Sequence, residues 1–308
     1  MEPKIRFKGF EGEWKTSTIG EIAPLQRGYD LPTNNVISGT IPVVYSNGIL
    51  RFHNEGKCQA PAIITGRSGT IGKFTYIDHG EYWPHNTSLW VTTFHKNYPR
   101  FVYYFFQNVG FEKYATGSGV PTLNRNDIHK HIESIPSNKE EQQAIASYFT
   151  TLDSQISAST SRLASLKQMK AASLQAMFPQ EGETVPKIRF KGFEGEWKKV
   201  KFSELYERSS IKNDLSFGTD KIISVANMYF IKNSRQVDDD YLRSYNIMRL
   251  GDIAFEGNKS KNFAHGRLVE NTIGDGIVSH VFIVMKPISK NYDLNFWKYY
   301  INNENIMG

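Results

Sequence analysis

A chain of 308 residues, 39% hydrophobic and 13% aromatic, carries enough apolar material for about two globular cores and too much for a disordered polymer. The single cysteine, Cys58, excludes an intrachain disulfide framework. No apolar run approaches the roughly 18 residues of a membrane span and no leader pattern opens the chain, so a cytoplasmic address is expected. The net charge of +6 is compatible with a polyanionic partner, whose phosphates Lys and Arg neutralise.

In chain order, the first distinctive segment is Pro-Lys-Ile-Arg-Phe-Lys-Gly-Phe-Glu-Gly-Glu-Trp, from Pro3 to Trp14, which recurs letter for letter from Pro186 to Trp197. A solenoid repeats every 20–50 residues or so, and this period is far longer, so it predicts a duplicated domain. Short β-branched or aromatic segments at 41–45, 62–65, 73–77 and 88–94, bounded by Gly, Pro and Asn, predict strands with tight turns. An aromatic stretch at 98–109 predicts a helix. The interval 138–178 lacks both Gly and Pro and is rich in Glu, Gln, Ala, Leu, Lys and Ser. A heptad register places Ile145, Phe149, Leu152, Ile156, Leu163 and Leu166 on one seam, which predicts a long coiled-coil helix. After it the same grammar returns: strands at 221–225, 252–255 and 276–285, then a helix at 294–302. Tyr45-Ser46-Asn47 is answered by Val225-Ala226-Asn227, and Tyr103-Tyr104-Phe105 by Lys298-Tyr299-Tyr300.

The fold class expected is therefore α+β. It comprises a first mixed α/β domain at 1–137, a long spacer helix at 138–180 and a second domain at 181–308. The second copy has no counterpart to the segment from about residue 111 to Pro179, so its last part and a second spacer helix are expected to be missing.

Catalytic signatures are absent. Gly66-Arg67-Ser68-Gly69-Thr70-Ile71-Gly72-Lys73 approaches a phosphate-cradling P-loop, but the spacing is one residue too long and Phe74 follows the lysine. No Gly-x-Gly-x-x-Gly follows a strand, and no Gly-x-Ser-x-Gly elbow is present. The chain has no Pro-Pro, which the tetrapeptide of adenine methyltransferases requires. His129-x-His131 reads as a surface pair rather than part of a zinc site, and Asp238-Asp239-Asp240 as a solvated turn, so no metal is expected. The residues describe a binding component, not an enzyme.

The ordered set of motifs resembles the specificity subunits of type I restriction-modification enzymes. It comprises the opening Pro-Lys-x-Arg-Phe-x-Gly-Phe-x-Gly-x-Trp, then Gly117-Ser118-Gly119-Val120-Pro121-Thr122-Leu123, then Ile132-x-x-Ile135-Pro136. Glu141-Gln142-x-x-Ile145-Ala146-x-x-Phe149-x-x-Leu152-Asp153-x-x-Ile156 follows, and the helix closes on Met177-Phe178-Pro179-Gln180. The resemblance implies two target-recognition domains reading a split site on double-stranded DNA. It also implies paired antiparallel spacer helices that dock methyltransferase subunits, with a restriction and translocase subunit completing the complex. S-adenosylmethionine, ATP and Mg would be used by those partners, and no cofactor would be bound by this chain. Without a second Glu-Gln-x-x-Ile-Ala helix, two other expectations stand: a half-subunit that self-associates through the spacer helix, or an interaction protein that occupies methyltransferase subunits without directing them to DNA.

Base edges are read by Arg, Lys, Asn, Gln and small polar groups. In copy one the candidates are Asn47, Arg51, His53, Arg67, Ser68, Thr70, Lys73, the run His85-Asn86-Thr87, Asn124 and Arg125. In copy two they are Asn258, Lys259, Ser260, Lys261, Arg267 and His280.

Overall fold

A computed structural model describes residues 3–232, 238–257, 266–289 and 293–301. The chain divides into two compact units, Met1–Ser161 and Arg162–Gly308, and the division falls inside one 39-residue helix, Lys139–Met177. Each unit mixes short helices with β-sheet.

The first unit holds two four-stranded sheets. One is antiparallel, in the order Leu25–Arg27, Ser88–Val91, Ala62–Gly66, Phe74–Ile77. Ala62–Gly66 is buried along its whole length, as expected of an apolar strand covered on both faces. The other sheet runs Gly48–His53, Ile41–Tyr45, Glu81–Pro84, Cys58–Gln59, with Ile41–Tyr45 and Glu81–Pro84 parallel. Helix Pro99–Val109 begins with proline, whose missing N–H costs nothing there, and ends at Gly110 with φ +76°. It packs Phe101, Val102 and Phe106 into a core with Ile19, Ile22, Leu89, Phe111 and Ile128.

Lys15–Thr18 pairs antiparallel with Ile132–Ile135, which brings the end of the entry segment beside the start of the long helix. Asn138 caps that start, its Oδ1 accepting from the Glu140 and Glu141 amides at 2.7 and 3.2 Å. Glu141 is 2% exposed. Its carboxylate takes two 2.8 Å hydrogen bonds from Arg6, through Nε and one Nη, and a 3.2 Å bond from Trp14 Nε1. Gln142 donates to Asn97 Oδ1 and the Pro136 carbonyl and accepts from the Tyr98 amide. Every polar atom drawn under the surface here has a partner, so the helix start is locked to the unit.

The second unit carries an antiparallel four-stranded sheet with the same connectivity: Tyr206–Ser209, Ile283–Pro287, Ile253–Glu256, Arg267–Glu270. Beside it Ile223–Ser224 pairs antiparallel with Tyr229–Phe230, and Asn246–Met248 with Gly276–Val278. These two strand pairs are joined by a parallel bridge from Ile222 to Ile277, the counterpart of the first unit's parallel pair. The strand expected at 276–285 is two strands in different sheets. Ser279 and His280 turn between them, with the Phe282 amide donating to the Ser279 carbonyl at 3.1 Å. The helix expected at 294–302 is the single turn and a half Phe296–Tyr300.

Of the seam residues of the long helix, Ile145 packs against the first unit's core. Phe149 meets the Tyr104 ring at 5.3 Å, yet remains partly exposed. Leu152 is half-buried, while Ile156, Leu163 and Leu166 lie exposed. Among the described residues no helix is long and apolar enough to cross a membrane.

Candidate nucleic-acid interface

Strand direction determines which loops of the first unit share an edge. Leu25–Arg27 and Ala62–Gly66 both run antiparallel to Ser88–Val91, so residues 28–30, 67–73 and 85–87 emerge at one end. Ile41–Tyr45 runs parallel to Glu81–Pro84, which adds the turn at Ser46-Asn47. Thr87 stitches these loops together. Its carbonyl accepts from the Arg67 and Ser68 amides at 2.8 and 3.3 Å, and its Oγ1 accepts from the Ser46 amide at 3.3 Å. A fifth segment joins when the Leu123 amide donates to the Arg67 carbonyl at 2.7 Å and the Gly69 amide to that of Pro121 at 2.9 Å. The Gly117–Pro121 stretch is thus the tip of a hairpin between Ala115–Thr116 and Thr122–Leu123, laid against the 67–73 loop.

Two glycines make this closeness possible. A Cβ on Gly28 would sit 2.2 Å from the His85 carbonyl oxygen and 2.3 Å from that of Pro84. One on Gly66 would sit 1.9 Å from the Thr70 carbonyl oxygen. Ala62–Gly66 pairs antiparallel with Phe74–Ile77, so 67–73 is a hairpin connection and lacks the helix a P-loop needs.

A cavity of about 640 Å³ opens at this edge, lined by Arg27, Tyr29, Arg67, Asn124 and Arg125 among others. Arg67 Nε is buried and has no hydrogen-bond partner among the described residues. A buried donor left unmade costs on the order of 1–3 kcal/mol, so the position favours an external acceptor. Arg125 is exposed at the start of helix Arg125–His129. Arg27 is exposed and only loosely paired with Asp30 at 3.8 Å, an interaction worth little in water. Asp30 in turn accepts from Asn86 Nδ2. Asn124 Oδ1 caps the Arg125–His129 helix by accepting from the Asn126 amide at 3.0 Å, which leaves its NH2 to face outward chemistry. Burial holds the His85 imidazole below its ordinary pKa, so it is neutral at pH 7; its ring lies 4.2 Å from Tyr45 and its Nδ1 3.0 Å from Thr87 Oγ1. Three guanidinium forks around one opening match phosphate oxygens or the O6/N7 edge of guanine.

The other sequence candidates scatter. Asn47 is exposed at its turn, and Ser68 and Thr70 belong to the stitched loop. Lys73 is exposed at the start of Phe74–Ile77. Arg51 pairs with Val43 and His53 with Ile41, toward the opposite end of that sheet. His53 is buried, with Nδ1 at 3.0 Å from both the amide and the carbonyl of Ile37 and its ring against Trp83. It is a framework residue. The expected surface pair His129 and His131 is also framework: His129 Nε2 accepts from the Leu25 amide at 2.8 Å, and His131 lies between Tyr114 and Glu133. In the second unit Arg267 Nε binds Glu256 at 2.5 Å, and His280 is exposed in its turn. Asn258, Lys259, Ser260 and Lys261 lie outside the described residues.

The profile of the type I restriction modification DNA specificity domain matches residues 11–168, more than half of the 308. The chain belongs to this family.

The specificity chain shares its fold with the S subunit of a type I restriction-modification system from M. genitalium, at TM-score 0.61 and 15% identity over 98% of this chain and 79% of that one. The HsdS subunit from Thermoanaerobacter tengcongensis matches at TM-score 0.43 and 14% identity, over 95% of this chain and 79% of that one. No curated protein matches the chain by sequence. Sequence reading of this specificity chain missed Arg27 and Tyr29, because a three-residue strand carries no periodicity to place its end. The one available signal was Gly28 between an arginine and an aromatic residue.

Proposed function

We propose that the chain is the DNA-recognition subunit of a type I restriction-modification complex, and that the first unit meets duplex DNA at the edge ringed by Arg27, Arg67 and Arg125. The observation that carries this reading is the buried, unpartnered Nε of Arg67 in an arginine-lined cleft on a multi-loop junction. Arg67 reads a base edge, while Arg27 and Arg125, both exposed, hold phosphates and set register. The second unit offers the equivalent sheet end, with Arg267 and His280, to the other half of a split site. The long helix serves as the spacer between the two domains and, with its exposed Ile156, Leu163 and Leu166, as the surface for helix pairing and methyltransferase docking. Catalysis, and the S-adenosylmethionine, ATP and Mg that it uses, belong to partner subunits.

Selection of bound duplexes from a random pool, with the purified chain alone and then with a methyltransferase subunit, tests the reading. Enrichment of a defined motif is expected. Retention of all sequences alike, with only a salt-dependent affinity, would overturn it.

A further inference from the structure

The hairpin between Ala115–Thr116 and Thr122–Leu123 carries the tip Gly117–Pro121 on a firmly held base. Leu123 is 1% exposed in the first unit's core, and Thr116 Oγ1 donates to the Thr122 carbonyl at 3.3 Å. On the flank, Ser68 bridges to Thr122, and the Gly69 amide donates to the Pro121 carbonyl at 2.9 Å. A tip fixed from two sides loses little freedom when it meets a partner.

What the tip displays is unlike the rest of this arginine-rich edge. Val120 is 69% exposed and joins no hydrophobic cluster among the described residues. Among the described residues the amides of Ser118, Gly119 and Val120 donate to no acceptor. From Lys113 to Asn126 the sequence holds two cations, Lys113 and Arg125, and no carboxylate.

The two glycines of the tip are there for different reasons. Gly117 has φ +105°, which closes the turn and which other residues resist. Gly119 lies outside that region, and a Cβ placed on it would meet nothing within 4 Å. Glycine costs backbone entropy, and nothing inside the chain requires it at this position. A main chain that lies close against another molecule does.

Resting on the reading that this edge meets duplex DNA, we infer that the Gly117–Pro121 tip enters the major groove, where Val120 reads the 5-methyl group of one thymine. Gly119 lets the main chain approach, and the free amides of Ser118 and Gly119 hold a phosphate that sets the depth of entry. The chemistry selects this target. Thymine is the base that presents an apolar group in the major groove, and the minor groove presents none. Arginine and asparagine at the same edge do not recognise a methyl group. Wedging between stacked bases falls to larger side chains such as Phe, Leu or Met. Pro121 is partly buried, with its carbonyl tied to Gly69.

The test measures binding of the full-length chain to duplexes carrying the motif it selects, with each thymine in turn replaced by uracil, which removes the methyl group alone. At one position uracil is expected to weaken binding about fourfold, the worth of one buried methyl group. Val120→Ala should show a comparable loss on the thymine duplex and no further loss on uracil. Gly119→Val should weaken binding to every duplex alike. Urea midpoints equal to the parent's are expected for both variants, since neither position packs against the fold. A selected motif read equally well with uracil throughout, a uracil effect that persists in Val120→Ala, or parental binding by Gly119→Val would each sink the assignment and leave DNA recognition standing. So would a 2-aminopurine reporter at that step that brightens on binding by the parent and stays dark with Val120→Ala, the mark of a wedge. Selection of no motif at all would instead take down the DNA-recognition reading, and this assignment with it.

Discussion

The two units use one sheet connectivity and one entry segment, but they finish them differently. In the first, the Lys15–Thr18 strand pairs with Ile132–Ile135 and delivers the helix start to Arg6 and Trp14. In the second, the equivalent arginine and tryptophan stand beside an open groove. The difference teaches that the entry segment is a preformed grip whose geometry is set locally, by glycine turns and an arginine bonded to its own backbone. Its stabilising effect depends on what it closes on. An ion pair contributes where it is buried and fully hydrogen-bonded, and its components contribute little while solvated.

Breaking the grip is expected to give the largest effect. Glu141→Ala leaves Arg6 and the Trp14 N–H without their acceptor under a buried surface, and should destabilise the first unit by about 3–5 kcal/mol. Arg189→Ala, the matching change in the second unit, should cost less than about 0.5 kcal/mol in the isolated chain. Urea unfolding followed by hydrogen exchange, resolved by unit, measures both; equal costs would erase the comparison.

A second contrast is electrostatic. Burial, together with the nearby Asp275 carboxylate, raises the carboxyl of Asp252 in the second unit to about 6 from an ordinary value of 3.8, against the hydrogen bond from the Arg249 amide. Burial also raises Glu270. Between those two values the folded state keeps a proton that the unfolded state releases. The contribution of Asp252 to stability is therefore fully present below about pH 4, declines as pH rises, and is lost above about pH 6. Asp252→Asn should flatten that decline and stabilise the second unit at pH 7.5 by up to about 3 kcal/mol, with little change at pH 4, in the same exchange experiment.

Third, Arg67→Ala should weaken DNA binding by about 1–3 kcal/mol and relax preference at one site position, measured by competition among single-base variants. A loss equal across all sequences would make Arg67 a phosphate contact. Arg267→Ala in the second unit removes a side chain already committed to Glu256 and should act more on stability than on base preference. The smallest effect belongs to Phe190→Ser, which should leave unfolding within about 0.5 kcal/mol of the parent, whereas Phe7→Ser, which removes a ring packed on Tyr148, should destabilise measurably.

How much of this was legible depends on the kind of signal. The helix Lys139–Met177 and the hairpin strands at 62–66 and 74–77 follow from composition and punctuation, and the structure places them within a residue or so of the expected bounds. The run from Gly276 to Met285 misled because β-branched and aromatic residues continue through the Ser279-His280 turn; strand propensity does not say which sheet a strand joins. The interface was half legible. Arg67, Asn86, Asn124 and Arg125 carry suitable chemistry in glycine-rich or polar loops, and pairing direction brings them together. His53 has the same chemistry, but its burial against Trp83 depends on a register that no local pattern encodes. Arg27 needed the strand order.

The junction at Thr87 is held almost wholly by peptide groups. Amides of Ser46, Arg67 and Ser68 converge on one residue, and Leu123 and Gly69 exchange main-chain bonds with their neighbours across the cleft. Side chains that project from such a frame can be replaced without dismantling it. A lineage bearing this architecture can therefore drift from one target motif to another through single exchanges at the rim, each leaving a folded and testable intermediate.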